Sequence, residues 1–286
     1  MATEWVISRL GEAERAAWVN VVESVGWRFV PAEIDLLFAA GEAWGAYVDG
    51  QLAGVASVYR YGQSLAWLGN VAVLPDVQRR GIGSKLVDHV LRQLEGEAGA
   101  VPVGLVARKE LAPLYARFGF RPAGEVVRLG TNRVLVPHLP QEPLGTEGQG
   151  DAWLEDVRRL DEHAFGADRS ELLQRVMRAA DKVIAVRDDA GKAQGMGVAL
   201  PSETGMRVGP ILAQNDIMAL NLMHLLAEDV EGPVVMDVPA ERASFLHRLR
   251  KLGFEDQSSS VIMLRGAPRL PGHRQYLYAL LRPAFG

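Results

Sequence analysis

An apolar strand that runs into a basic, glycine-bearing turn and out again as an amphipathic helix fixes one crossover of any fold this chain can adopt. The segment reads Asn70-Val71-Ala72-Val73-Leu74-Pro75-Asp76-Val77-Gln78-Arg79-Arg80-Gly81-Ile82-Gly83-Ser84-Lys85-Leu86-Val87. Pro75-Asp76 punctuates the strand. Gly81 and Gly83 permit positive φ and a close approach of the main chain to a ligand. The amides that open the next helix lack intrahelical acceptors and sit at the positive end of its dipole, so they favour an anion. Arg79 and Arg80 add charge suited to a polyphosphate. The turn is not a dinucleotide fingerprint, because Leu86 stands where a third glycine is required. Nor is it a P-loop, because Ser84-Lys85 follows Gly83 in the wrong order.

Around this segment the pattern is mixed. A strand is expected at Trp5–Leu10, a helix over Glu12–Glu23 and a helix starting near Pro31, a favoured first-turn residue. Asp49-Gly50 between two apolar runs predicts a hairpin. Strands follow at Leu65–Leu74, Val103–Ala107 and Val126–Leu135, with helices at Ser84–Glu95 and Leu111–Phe118, the latter stopped by Gly119. Residues 137–150 hold three prolines and three glycines and read as a linker. It divides the 286 residues into halves of ordinary domain length, 1–136 and 151–286.

The second half repeats the order. Helices are expected at Trp153–His163 and Ser170–Ala179, a hairpin over Val183–Leu200, then strand Met206–Leu212, helix Ile217–Asp229, strand Val234–Val238, helix Ala243–Leu252 and strand Ser259–Leu264. Gly119-Phe120 recurs as Gly253-Phe254, 134 residues on, which marks a diverged duplication.

The turn resembles the Gln/Arg-x-x-Gly-x-Gly/Ala motif of the GNAT superfamily of N-acetyltransferases, with Gln78, Gly81 and Gly83 at its fixed positions. Pro113-Leu114-Tyr115-Ala116-Arg117-Phe118-Gly119-Phe120 is similar to the family's Leu-Tyr-x-x-x-Gly-Phe segment. The resemblance implies an α+β (mixed α/β) fold of two tandem GNAT-like domains, each a mostly antiparallel mixed sheet flanked by helices. Residues 1–136 would be catalytic and 151–286 a degenerate repeat that helps to complete the acceptor pocket. It implies direct acetyl transfer from acetyl-CoA to a primary amine of a small molecule or peptide, without an acyl-enzyme. Val71, Ala72 and Val73 would pair with the pantetheine arm. Gln78, Arg79, Arg80, Gly81, Ile82, Gly83 and Ser84 would hold the pyrophosphate. Tyr115 would protonate the departing thiolate, since a thiol ionises near ~8.5 and a phenol near ~10. The sequence does not identify the base: a side chain or a water chain must take the amine's proton, and Glu33, Glu42 and Asn70, which lie near the expected pocket, are read first as structural or solvated. Arg108 replaces an asparagine that many members carry seven residues before the tyrosine. A CoA-binding sensor without turnover is the alternative.

In the second half, Asn215 falls on the Gly81 position and Leu249 on the Tyr115 position, so both chemical parts are missing. Asp216 is expected to cap the helix that follows. Asp161, Asp168 and Arg169 are read as surface salt bridging, with contact to an acceptor as the alternative. Residues 266–286 are read as a helix or strand that packs back on a domain or contacts a second copy, as in a homodimer.

Composition excludes other classes. A net charge of −4 and a pI near 5.9 argue against nucleic-acid or membrane-surface partners. No cysteine is present, which removes disulfides, thiolate metal sites and a cysteine nucleophile. The six histidines never fall in H-x-x-x-H spacing, so no metal is expected, and no G-x-S-x-G elbow exists. The N-terminus lacks a secretory pattern, and no apolar run is long enough for a membrane helix, so a cytoplasmic location is expected.

Overall fold

Turn chemistry sets the element boundaries. The computed structural model describes residues 5–98, 101–134, 146–147 and 151–286. The first half contains β1 (Trp5–Leu10), α1 (Arg15–Ser24), α2 (Pro31–Ala40), β2 (Glu42–Val48), β3 (Gln51–Tyr61), β4 (Leu65–Val73), α3 (Ile82–Ala98), β5 (Val103–Arg108), α4 (Ala112–Ala116) and β6 (Arg121–Thr131). Pro31 opens α2, and the Glu33 carboxylate accepts the Val30 N–H at 3.1 Å. Asp49 and Gly50 both take positive φ, 49° and 80°, the backbone that a two-residue hairpin turn needs.

The second half contains β7 (Thr146–Glu147), α5 (Asp151–Phe165), α6 (Ser170–Ala179), β8 (Lys182–Arg187), β9 (Ala193–Ser202), β10 (Gly205–Leu212), α7 (Asp216–Ala227), β11 (Val234–Pro239), α8 (Ala243–Lys251), β12 (Glu255–Arg265) and β13 (Leu277–Ala279). The duplication is visible as geometry. Gly119 (φ 81°) lets the Phe120 N–H reach back to the Tyr115 carbonyl at 3.3 Å, and Gly253 (φ 90°) does the same for Phe254 and Leu249 at 3.1 Å. Both helix stops are Schellman-type, which calls for a left-handed residue after the helix.

Three expectations change. Asn215, not Asp216, caps α7, its Oδ1 accepting the Met218 N–H at 2.9 Å; Asp216 instead accepts the Tyr278 hydroxyl at 3.1 Å. The strand expected at Val126–Leu135 begins at Arg121. Pro122 and Gly124 are tolerated because the ladder to β12 shifts register between Ile262 and Met263, and such irregularities accept proline and glycine. Leu135 lies outside the described residues. So does the expected linker 137–150 apart from Thr146–Glu147, which pair with Ala185 and Ile184 of β8.

The thirteen strands of the described residues belong to one mixed sheet, ordered β1-β2-β3-β4-β5-β12-β6-β11-β10-β9-β8-β7, with β13 on β10. Among the described residues only β4–β5 and β10–β11 are parallel. The two expected sheets are therefore continuous, with β6 and β12 exchanged between the halves. β12 lies against β5 (Val261 opposite Ala107), whereas β6 lies against β11 (Val127 opposite Val238). β6 and β12 pair with each other at the centre. α3 packs Leu86, Val87, Val90 and Leu94 on the first half's sheet, and α7 packs Leu220, Leu222, Met223 and Leu226 on the second's.

The segment 266–286 packs back onto the molecule. Trp67 Nε1 donates to the Pro283 carbonyl at 2.9 Å and the Tyr61 hydroxyl to that of Phe285 at 2.6 Å. Asp161 and Arg169 form a buried two-pronged ion pair, at 2.8 and 2.7 Å, and Arg169 also donates to the Gly286 carbonyl at 3.0 Å. They are thus an internal brace rather than surface charges. Asp168 accepts the Ser170 N–H at the start of α6, at 2.9 Å. No helix among the described residues is long and apolar enough to cross a membrane.

Candidate active site

The parallel strands β4 and β5 pair only over Ala66–Val103, Trp67–Gly104 and Leu68–Leu105. Beyond Leu68 the ladder between β3 and β4 shifts register, between Val55 and Ser57, and Asn70 takes a left-handed backbone, φ 51°. A non-glycine residue in that region is uncommon and bends the strand locally. A cavity of about 490 Å³ lies here, lined by Asn70 and Val71 of β4, by Val106, Ala107 and Arg108 of β5, and by Tyr115 of α4.

The glycine turn sits at the end of β4. Gln78 ties it down, its side-chain amide donating to the Val73 carbonyl at 3.0 Å. Arg79 (φ 60°) and Gly81 (φ 87°) then swing the backbone into α3. Among the described residues no acceptor takes the N–H groups of residues 79 to 84; the first amide to find one is that of Lys85, on the Gly81 carbonyl at 3.0 Å. A Cβ built on Gly81 would meet nothing within 4 Å, so the space before the loop is open. Arg79 and Arg80 are exposed. Of the β4 residues, Val71 faces the cavity, Ala72 is buried, and Val73 lies 3.6 Å from a Cβ built on Gly83. Ile82 is buried under the loop.

Tyr115 is 6 % exposed, packs edge-on against Phe120, and its hydroxyl takes no hydrogen-bond partner among the described residues. Burial pushes its phenol up to about 12. Glu42 lines neither cavity of this region and bonds Arg60 Nε at 2.9 Å. Glu33 is buried and ion-paired with Arg282.

A second cavity, about 690 Å³, adjoins the first, and Trp27, Arg128 and Arg282 line both. Its polar centre escaped the sequence reading. Arg128 of β6 binds Asp237 of β11 through Nε (2.8 Å) and Nη2 (3.1 Å), and Arg207 of β10 binds the same carboxylate at 2.5 Å. The signal was present as charged residues within apolar strands, Arg207 before Val208 and Asp237 between Met236 and Val238. Charges in such positions are buried only when paired.

The matching place in the second half is closed. β10 and β11 pair over Met206–Val234 and Arg207–Val235. Past that point β13 lies on β10, with Leu212 opposite Leu277, and the Leu280 N–H donates to the Asp237 carbonyl at 2.8 Å. The chain's own strand thus fills the gap that is open between β4 and β5. Among the described residues no cluster of three potential metal ligands occurs.

These features, an open splay beside a glycine turn in one repeat and a filled one in the other, are those of a tandem acyl-transfer fold. Residues 39–122 and 157–279 each match a family described as Acetyltransferase (GNAT) domain. The chain is 28 % identical over 282 residues to the "Uncharacterized N-acetyltransferase YitH" of Bacillus subtilis, covering 97 % of each protein. It is 26 % identical over 224 residues to the "Holothin acyltransferase" of a Pseudoalteromonas species, covering 77 % of this chain and 73 % of that one. Among solved structures, a GCN5-related N-acetyltransferase from Sphaerobacter thermophilus superposes with a TM-score of 0.65 at 18 % identity, over 94 % of this chain and 98 % of that one. A tandem GNAT protein from the clavulanic acid biosynthesis pathway gives 0.66 at 15 %, over 91 % and 98 %. The chain belongs to the GNAT acetyltransferases, with two such domains in tandem.

Proposed function

We propose that this protein transfers acetyl from acetyl-CoA directly to a primary amine of a small molecule or peptide, with residues 1–136 carrying the chemistry and 151–286 walling the acceptor pocket. The observation that carries the reading is the run of unpaired amides at residues 79 to 84, with open space before Gly81, on the turn that follows β4. Such amides at a helix start take a diphosphate, and Arg79 and Arg80 add charge to it. The free edge of β4 at Val71, Ala72 and Val73 offers strand-like hydrogen bonds to the amide-bearing arm of the cofactor.

Tyr115 acts at the sulfur. With the phenol near 12 and a thiol near ~8.5, complete proton transfer to the thiolate would cost roughly 5 kcal/mol. Tyr115 therefore stays protonated and donates a hydrogen bond to the sulfur as negative charge develops there, where low dielectric strengthens the contact. The amine must arrive neutral to attack, since its ordinary pKa is near ~10.4.

Acetyl-CoA at about a hundred times its Kd is expected to stabilise the fold by roughly 2.7 kcal/mol, read as a rise in thermal midpoint. No rise at saturating acetyl-CoA would remove the reading. A rise without thiol release from any amine would point to a sensor instead. Gly81→Val is expected to raise the KM for acetyl-CoA about tenfold, because a β-branched side chain pays ~1–2 kcal/mol in left-handed backbone and projects into the cradle. An unchanged KM would place the diphosphate elsewhere.

A further inference from the structure

The adjoining cavity has a charge imbalance on its inner wall, where Arg207, Glu33 and Asp237 are buried and Arg128 and Arg282 are partly exposed. Arg128, Arg207 and Arg282 face only two carboxylates, Glu33 and Asp237, leaving a net charge of +1. Around the rim, Arg28 approaches Glu203 at 3.8 Å and Asp256 is bonded by Arg250 at 2.9 Å, while Arg133 and Glu255 are exposed to water. The imbalance therefore lies on the inner wall, around buried Arg207, where partial shielding from water makes an unmatched charge costlier than at the rim.

The donors are incompletely used. Arg207 is 7 % exposed, and its Nε is buried without a partner. Its Nη1 binds Asp237, which leaves Nη2 without an acceptor among the described residues. Arg128 spends Nε and Nη2 on Asp237 and leaves Nη1 open. Arg282 is held by Glu33 and stacks on Phe29, 4.3 Å from the ring. Burial pushes the Arg207 guanidinium down to about 10; Asp237 opposes this, and Arg282 and Arg128 reinforce it. A bound anion would relieve that repulsion.

We propose that the acceptor amine carries a carboxylate, which Arg207 and Arg128 hold in the larger cavity while the amine reaches the β4–β5 splay. The inference rests on the acetyltransferase reading above. Arginine is suited to the task because its planar fork matches a carboxylate and stays charged when buried. Arg128 and Arg282 line both cavities, so a molecule anchored here is directed toward Tyr115. The second repeat thereby contributes specificity: Arg207 stands at the head of its closed splay, on the last β10 residue paired to β11.

The test is thiol release with acetyl-CoA over a panel of α-, β- and ω-amino acids and simple dipeptides, each set against its C-terminal carboxamide. Carboxylates are expected to exceed their carboxamides in kcat/KM by at least about tenfold. Arg207→Gln is expected to collapse that ratio about tenfold to a hundredfold, and Arg207→Lys to restore part of it. Arg207→Gln/Asp237→Asn, which removes one charge of each sign, guards against misfolding and should show the same collapse. Stabilisation by acetyl-CoA serves as the check of fold in each variant. In parallel, N-acetyl-β-alanine in the presence of CoA should stabilise the wild type but not Arg207→Gln, and N-acetyl-β-alaninamide neither. Equal use of carboxylates and carboxamides, or a ratio untouched by Arg207→Gln, overturns the proposal while leaving the transferase intact. So does a panel in which only amines without a carboxylate react. No acetyl-CoA stabilisation and no thiol release would instead sink the transferase reading itself.

Discussion

Tyr115→Phe is expected to lower kcat by about a hundredfold or more, with little change in stabilisation by acetyl-CoA. The substitution keeps the ring that packs on Phe120 and removes only the hydroxyl, so a loss in kcat reports the reacting sulfur rather than the fold. The pH profile is a second readout. Because burial holds the phenol near 12, Tyr115 keeps its proton throughout the range in which an amine loses its own. The rate should therefore rise with pH as the free amine accumulates, with no fall from Tyr115 below about pH 10. A mutant with unchanged kcat would remove Tyr115 from the reaction.

Breaking the brace between Asp161 and Arg169 is expected to have the largest effect on stability. The side chains are 3 % and 1 % exposed, and Arg169 also holds the Gly286 carbonyl and lies 4.0 Å over the Phe165 ring. Asp161→Asn leaves a buried guanidinium uncompensated, which costs about 3–5 kcal/mol. In a chain of this size that lowers the thermal midpoint by roughly 10 °C. Asp161→Leu/Arg169→Met removes both charges and should recover much of the loss, because well-packed apolar pairs replace buried ion pairs at little cost. A midpoint within 2–3 °C of wild type (a shift of about 1 kcal/mol) for Asp161→Asn would show that the pair is dispensable.

Local chemistry made much of this molecule legible. The Asp49-Gly50 hairpin, the proline start of α2 and the Gly119 and Gly253 helix stops all follow from backbone rules acting within a few residues. The placement of the glycine turn between β4 and α3 was legible for the same reason. What escaped depends on contacts between distant residues. Strand exchange is invisible to periodicity, because β6 and β12 would alternate in the same way beside either neighbour. The Asp161–Arg169 pair reads as surface charge until the chain from 266 to 286 folds over it. The arginines of the larger cavity come from β6, β10 and the stretch after β13, and nothing local ties them together. Asn215 and Asp216 are both good caps; α7 begins at Asp216, so the extended Asn215 before it takes the role, and Asp216 accepts the Tyr278 hydroxyl.

The exchange of β6 and β12 bears on how such a duplicated chain persists. Each copy lends one strand, β6 or β12, to the ladder of the other, so cutting the connection does not return two intact ancestors. Under the proposed division of labour, in which residues 1–136 carry the reaction, the second repeat persists as scaffolding, since discarding it would strip β5 of its β12 neighbour. On that proposal, a copy freed from chemistry but not from the architecture is where selection can alter which molecules are accepted without disturbing how they react.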